Sequence, residues 1–223
     1  MPQSDRRLTA RPMESEQPEA EINNYQRATK ITKTILFLNK GASKMYHPSV
    51  YDNLKVVLEG AVYDLDFAGA IEIVDRKDLV DLAVIGRSYS IDFFVSGISQ
   101  SFKGNLTLNT NLENYATEKL KDNPEGAGSK VSIYIETPVY EIETDCKQLQ
   151  SILKKWSEDD LKGDIQQKLT YIYGESRSVF SNTISIHLQK PFSEEEPERF
   201  SLVLEQVIAS MKEMNEYFKG YKK

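Results

Sequence analysis

The sequence predicts an α+β fold, with antiparallel sheets packed with helices, a long C-terminal amphipathic helix and a disordered N-terminal tail. Three observations carry that reading. Short segments alternate apolar and polar residues with a period of two, as in Val131, Ile133 and Ile135 against Ser132, Tyr134 and Glu136. Other segments repeat at helical spacing, clearest in Phe200, Leu204, Val207, Met211, Met214 and Phe218. The order of the two kinds does not follow a regular βαβ repeat, which disfavours a doubly wound parallel sheet.

Taken in order, residues 1–22 are polar, with Pro2, Pro12 and Pro18 and four glutamates at Glu14, Glu16, Glu19 and Glu21. Such a stretch cannot bury enough apolar surface to offset the entropy of ordering, so it reads as a tail. Residues 23–123 read as one α+β half. After a short apolar run at Ile35 to Leu38, His47-Pro48-Ser49 opens a helix with Pro48 in its first turn, and Val50, Leu54, Val57, Leu58 and Val62 form its apolar stripe. An antiparallel meander follows: Ala70 to Val74, Leu79 to Ile85 and Tyr89 to Val95. Asp75-Arg76-Lys77-Asp78 and Gly86-Arg87-Ser88 are its expected turns, and Leu106 to Leu108 a further strand. A short polar helix precedes the loop at Pro124 to Gly128, the best internal boundary.

Residues 129–223 form the second half. Val131 to Ile135 is a strand that Thr137-Pro138 interrupts, with Val139 to Glu143 as a return strand or a bulged extension. Leu149, Ile152, Leu153 and Trp156 stripe a helix from Cys146, and Asp160 to Lys168 reads as another. Tyr171 to Tyr173 and Thr183 to Gln189 are strands. Ser193 and Glu196 have capping-box spacing ahead of the last helix, with Pro197 in its first turn.

Composition excludes several classes. With 223 residues, 39% hydrophobic and 28% charged, the chain is long enough to bury roughly 70% of its unfolded surface without metal or disulfide staples. One cysteine, Cys146, cannot close an internal bridge, so a reducing cytoplasm is the expected setting. The N-terminal stretch lacks an apolar core, so no secretory signal is expected, and no run is long enough for a membrane span. A net charge of −6 favours solubility over indiscriminate nucleic-acid binding.

That average hides a basic interval. No acid occurs between Glu21 and Asp52, while Arg27, Lys30, Lys33, Lys40 and Lys44 fall there with His47. Lys30, Lys33, Lys40, Lys44 and His47 are the candidate anion contacts, for a nucleic acid or nucleotide, and a face solvated beside acidic neighbours explains the same run. The Leu38-Asn39-Lys40-Gly41-Ala42-Ser43-Lys44 stretch lacks the second glycine and the ending of a phosphate-binding P-loop.

Catalytic signatures are sparse. No G-x-S-x-G elbow is present, and one cysteine with two histidines cannot make a four-ligand structural zinc site. The alternative to a binding protein is a divalent-metal-dependent nuclease or phosphodiesterase built on four positions: Glu59 on the helix, Asp64 or Asp66 after it with Asp66 taken for the set, then Asp75 and Lys77. In order and spacing they resemble the metal-dependent nucleases built on a helix glutamate, a strand aspartate and an acidic-x-Lys end. That resemblance implies a divalent ion such as Mg²⁺ held by the carboxylates, with the lysine beside the attacking water. The chain departs from the pattern in having no proline before the aspartate.

The favoured expectation is a non-enzymatic cytoplasmic binding or assembly subunit needing no cofactor. Its C-terminal seam, Phe200, Leu204, Val207, Met211, Met214 and Phe218, either covers its own sheet or forms a self-association interface.

Overall fold

The computed structural model describes residues 49–120, 128–157, 161–172 and 180–220. The expected tail and every basic residue of the acid-free interval, Arg27, Lys30, Lys33, Lys40, Lys44 and His47, lie outside the described residues.

Helix α1, Val50–Phe67, starts where its backbone donors find acceptors. The Ser49 hydroxyl accepts from the Asp52 N–H at 3.2 Å, and the Asp52 carboxylate accepts from the Ser49 N–H at 3.2 Å. The cap is therefore Ser49 and the first turn opens at Val50, while His47 and Pro48 lie outside the described residues. Tyr51, Leu54, Leu58 and Val62 are buried along one face.

Strand β1, Ile71–Asp81, is longer than its sequence suggests, because Asp75 to Asp78 continue it instead of turning. The reason is nonlocal. Past a bulge between Ile73 and Asp75, Arg76 and Asp78 point to the helix side, where Arg76 donates to the Tyr63 hydroxyl at 2.5 Å and Lys55 pairs with Asp78 at 2.5 Å. Asp75 and Lys77 pair with each other at 3.0 Å on the opposite face. The turn instead falls at Leu82 to Ile85, and Ile85 takes a left-handed conformation with φ 52°. Residues Leu79 to Ile85 are thus split between β1 and this turn.

Strand β2, Gly86–Val95, and strand β3, Lys103–Thr110, complete a meander. Helix α2, Leu112–Leu120, follows. Strand β4, Lys130–Val139, then pairs directly with β3, so the stretches on either side of residues 124–128 share one sheet and one core. Pro138 sits within β4 at a point where β3 has already ended, opposite Glu136, so the strand has a neighbour on one side alone. No return strand follows: Ile142 and Glu143 open helix α3, Ile142–Leu153, which tightens into a 3-10 turn at Lys154–Ser157.

The segment expected as a helix from Asp160 to Lys168 is strand β5, Gly163–Thr170. Ile165, Gln167 and Leu169 face the helices and Asp164, Gln166, Lys168 and Thr170 face solvent, a period of two that only a strand satisfies. Tyr171 and Ile172 lie outside any strand, and Tyr173 is outside the described residues. Strand β6, Phe180–Leu188, and helix α4, Arg199–Lys219, close the chain. Helix α4 starts after Glu198, not at Ser193, and no side chain caps it.

The result is a six-stranded antiparallel sheet in the order β1-β2-β3-β4-β6-β5. Helices α1, α3 and α4 cover one face. There Tyr89, Ile91, Phe93, Leu106, Ile133, Ile184 and Ile186 meet Leu54, Leu58, Leu149, Trp156, Leu204 and Met211 in a single apolar core. Gly104 permits the closest approach, since a Cβ there would stand 2.6 Å from the Phe93 ring and 3.2 Å from Met211 Sδ. No helix among the described residues is long and apolar enough to cross a membrane.

Candidate binding face of the sheet

Strand alternation gives the sheet a second face, and none of α1, α3 and α4 packs on it. Its central row runs from strand to strand as Lys77, Ser90, Thr107, Ser132, His187 and Asp164, each in register with the next. The row beside it is Asp75, Asp92, Asn105, Tyr134, Ser185 and Gln166. The middle of this face is therefore hydroxyls and amides around one phenol and one imidazole.

Local hydrogen bonds organise these side chains. Ser132 Oγ lies 2.9 Å from His187 Nδ1, and the Tyr134 ring meets the imidazole edge-on at 5.9 Å. Thr107 donates to Asn105 Oδ1 at 2.7 Å, while the Asn105 amide donates to Asp92. Asp92 also holds Lys103 at 2.5 Å, and that hydrogen bond raises the Lys103 ammonium above its ordinary value. On Asp75, hydrogen bonds from Lys77 and the Arg76 N–H hold the carboxyl below its ordinary value. Asp75 and Asp92 are thus each paired with a lysine of the same face, and its further charges on β4 and β5, Lys130, Glu136, Asp164 and Lys168, are equal in number of each sign.

Ser132, His187 and Asp164 form a serine-histidine-aspartate row, which the sequence hid because Ser132 and His187 are 55 residues apart. Its geometry is not that of a hydrolase. The serine bonds Nδ1, and the Asp164 carboxylate accepts instead from Gln189 Nε2 at 2.9 Å.

The nuclease set does not converge. Glu59 accepts from the Tyr89 hydroxyl at 2.7 Å on the helix side of the sheet, and Asp66 accepts from the Ile73 N–H at 3.2 Å where α1 meets β1. Asp75 and Lys77 stand on the open side, so the sheet lies between them and Glu59. No group of three or more candidate ligands able to hold a metal ion occurs among the described residues. What the sequence set apart as a catalytic glutamate is one member of a polar seam joining α1 to the strands. That seam also holds Arg87 against Asp52 at 2.6 Å and over the Tyr51 ring at 4.5 Å.

The C-terminal seam is also corrected as an interface. Phe200, Leu204, Val207, Met211, Met214 and Phe218 are all buried in the chain's own core, with no more than 4% exposure. A partner would have to unpack the domain to reach them. Cys146 is half-buried just past the first turn of α3, where burial and the neighbouring Asp145 and Glu143 carboxylates push its thiol up.

Comparison with protein-family models, curated proteins and solved structures finds no match to this chain.

Proposed function

We propose that this chain is a non-enzymatic binding or assembly subunit that receives a protein partner on the open face of its sheet. The observation that supports this reading is the segregation of α1, α3 and α4 to one face, which leaves five neighbouring strands of small hydroxyl and amide side chains around Tyr134 and His187. A polar surface whose charges balance across these five strands suits a protein surface better than a polyanion. A cytoplasmic setting belongs to the proposal and is supported by the single thiol.

The acid-free interval with Lys30, Lys33, Lys40, Lys44 and His47 adds a second contact, to a nucleic acid or nucleotide. Reversing the four lysine charges abolishes retention of the chain on single-stranded nucleic acid if that contact exists. Equal retention of both forms, or none by the wild type, removes it.

Photo-crosslinking in cells tests the face itself. A photoreactive residue at Thr107 or Ser185 should give discrete protein adducts, whereas one at exposed Leu202 on α4 should not. Adducts equal at all three positions, or absent from the sheet positions, refute the proposal.

A further inference from the structure

The sheet ends in two edges that are built differently. On β1 a bulge interrupts the register between Ile73 and Asp75, and Asp75, Arg76, Lys77 and Asp78 occupy mid-strand. Bulges and charges of this kind keep an edge from pairing with another chain. Strand β5 carries neither a bulge nor a proline. Its register with β6 runs unbroken from Gly163 opposite Leu188 to Thr170 opposite Ser181. Among the described residues no strand pairs with its far side.

We infer that β5 pairs antiparallel with β5 of a second copy, about a two-fold axis at Gln167, so that one sheet runs through a dimer. The choice of a second copy follows from the self-complementarity of the strand. With the axis at Gln167, Ile165 stands opposite Leu169 of the other chain on the helix side, and symmetry repeats the pair. Both side chains are only half-buried in the single chain. Tyr171, 44% exposed just beyond the strand, comes opposite Gly163, where no side chain competes for space. On the open side, Lys168 comes diagonally beside Asp164 of the other chain, again twice, and within reach for a cross-strand ion pair.

An isologous contact demands this kind of match, in which each residue meets a complement already present in the same strand. An unrelated peptide would satisfy the backbone groups equally but would not explain the symmetry of the side chains. Eight residues of strand cover less than the roughly 800 Å² per partner of a standard interface, so association in the micromolar range is expected. This inference does not rest on the partner-binding reading, since its backbone pairing runs along the β5 edge, although Asp164 and Lys168 also border the open face.

Sedimentation equilibrium of the full chain from low to high micromolar concentration tests it. The expected result is a reversible monomer–dimer equilibrium. Lys168→Glu should weaken it about tenfold, since two symmetric attractions become repulsions. The charge swap Asp164→Lys with Lys168→Glu should restore it, while Lys77→Glu on the guarded edge should leave it unchanged. Both β5 side chains are exposed, and a circular dichroism melt verifies that each variant is folded. A wild type that stays monomeric, a dimer indifferent to Lys168→Glu, or a swap that fails to restore association overturns the inference.

Discussion

Replacing Asp145 by alanine should destabilise the domain more than any other single change at a polar residue described above. Asp145 is fully buried in the first turn of α3, and its carboxylate reaches back to accept from the N–H groups of Tyr140 at 2.8 Å and Glu141 at 2.9 Å. Glu141 is the N-cap of that helix and supplies no side-chain cap of its own, so Asp145 takes over that task. The same carboxylate accepts from the Tyr217 hydroxyl at 2.8 Å, which ties the end of α4 to the start of α3. Each buried donor deprived of its acceptor costs about 1 to 3 kcal/mol. Tyr217 is half-exposed and can turn to water, so the two main-chain donors dominate. Relief from burying a charge offsets part of the loss, and the net is about 3 kcal/mol. With a urea dependence of about 2 kcal/mol per molar, the unfolding midpoint should fall by about 1.5 M at unchanged slope. Tyr217→Phe should cost only about 1 kcal/mol, and the double variant should lose less than the two single losses combined, because the bond is shared. A loss below about 0.5 kcal/mol for Asp145→Ala, the size of an ordinary surface change, would refute the role given to the carboxylate.

Four further outcomes follow from the structure. Gly104→Ala should destabilise by about 1 to 3 kcal/mol in the same titration, because its methyl would collide with the Phe93 ring beneath Met211. Ile85→Gly should raise stability by about 1 kcal/mol, since a β-branched residue with φ 52° is strained and Ile85 is mostly exposed; an unchanged or lower melting temperature contradicts this. At Asp52, burial pushes the carboxyl up, but the Ser49 hydroxyl and Arg87 outweigh it and the folded pKa is lowered. Its stabilising contribution is therefore present above about pH 4 and lost as the pH falls through the folded value. The stability gap between wild type and Asp52→Asn should accordingly be widest near neutrality and shrink in acid; a gap constant from neutrality to strong acid contradicts it. Cys146, its thiol pushed up, should react with iodoacetamide at neutral pH more slowly than a free cysteine and should speed up as the pH rises.

The sequence was most informative where one periodicity and one environment agree. Helix α4 and strand β6 carry long, regular patterns, and each pattern packs on the face it implies. In α1 the apolar stripe was readable, and Ser49 carries its own acceptor into the cap. Strand β5 was misread because Gln166, Gln167, Lys168 and Leu169 are all good helix formers, whereas the tie that holds Gln167 comes from other elements. Gln167 donates to the Cys146 carbonyl and accepts from Asn182. The acidic and basic run in β1 looked like a turn because its partners, Lys55 and Tyr63, lie on a helix that local spacing cannot consult.

For the candidate face, the alternation of Ser185, His187 and Gln189 along one side of β6 was visible. What that side meets was not, since it depends on strand order. The set built around Glu59 failed for the same reason: sequence order placed its members near one another while the sheet separates them.

The strand order also has a kinetic consequence. Strands β1 to β3 join neighbours through short connections, and β4 adds to them across one further segment. The pairing of β4 with β6 must instead close the chain from Val139 to Phe180, where those two residues stand opposite each other. Closing a loop of roughly 40 residues costs about 2 kcal/mol more conformational entropy than closing the four-residue turn between β1 and β2. Docking the β5–β6 hairpin onto β4 is thus the entropically expensive event of folding. Ile133, Ile135, Ile184 and Ile186, which meet across that seam, are where truncation should slow folding rather than hasten unfolding.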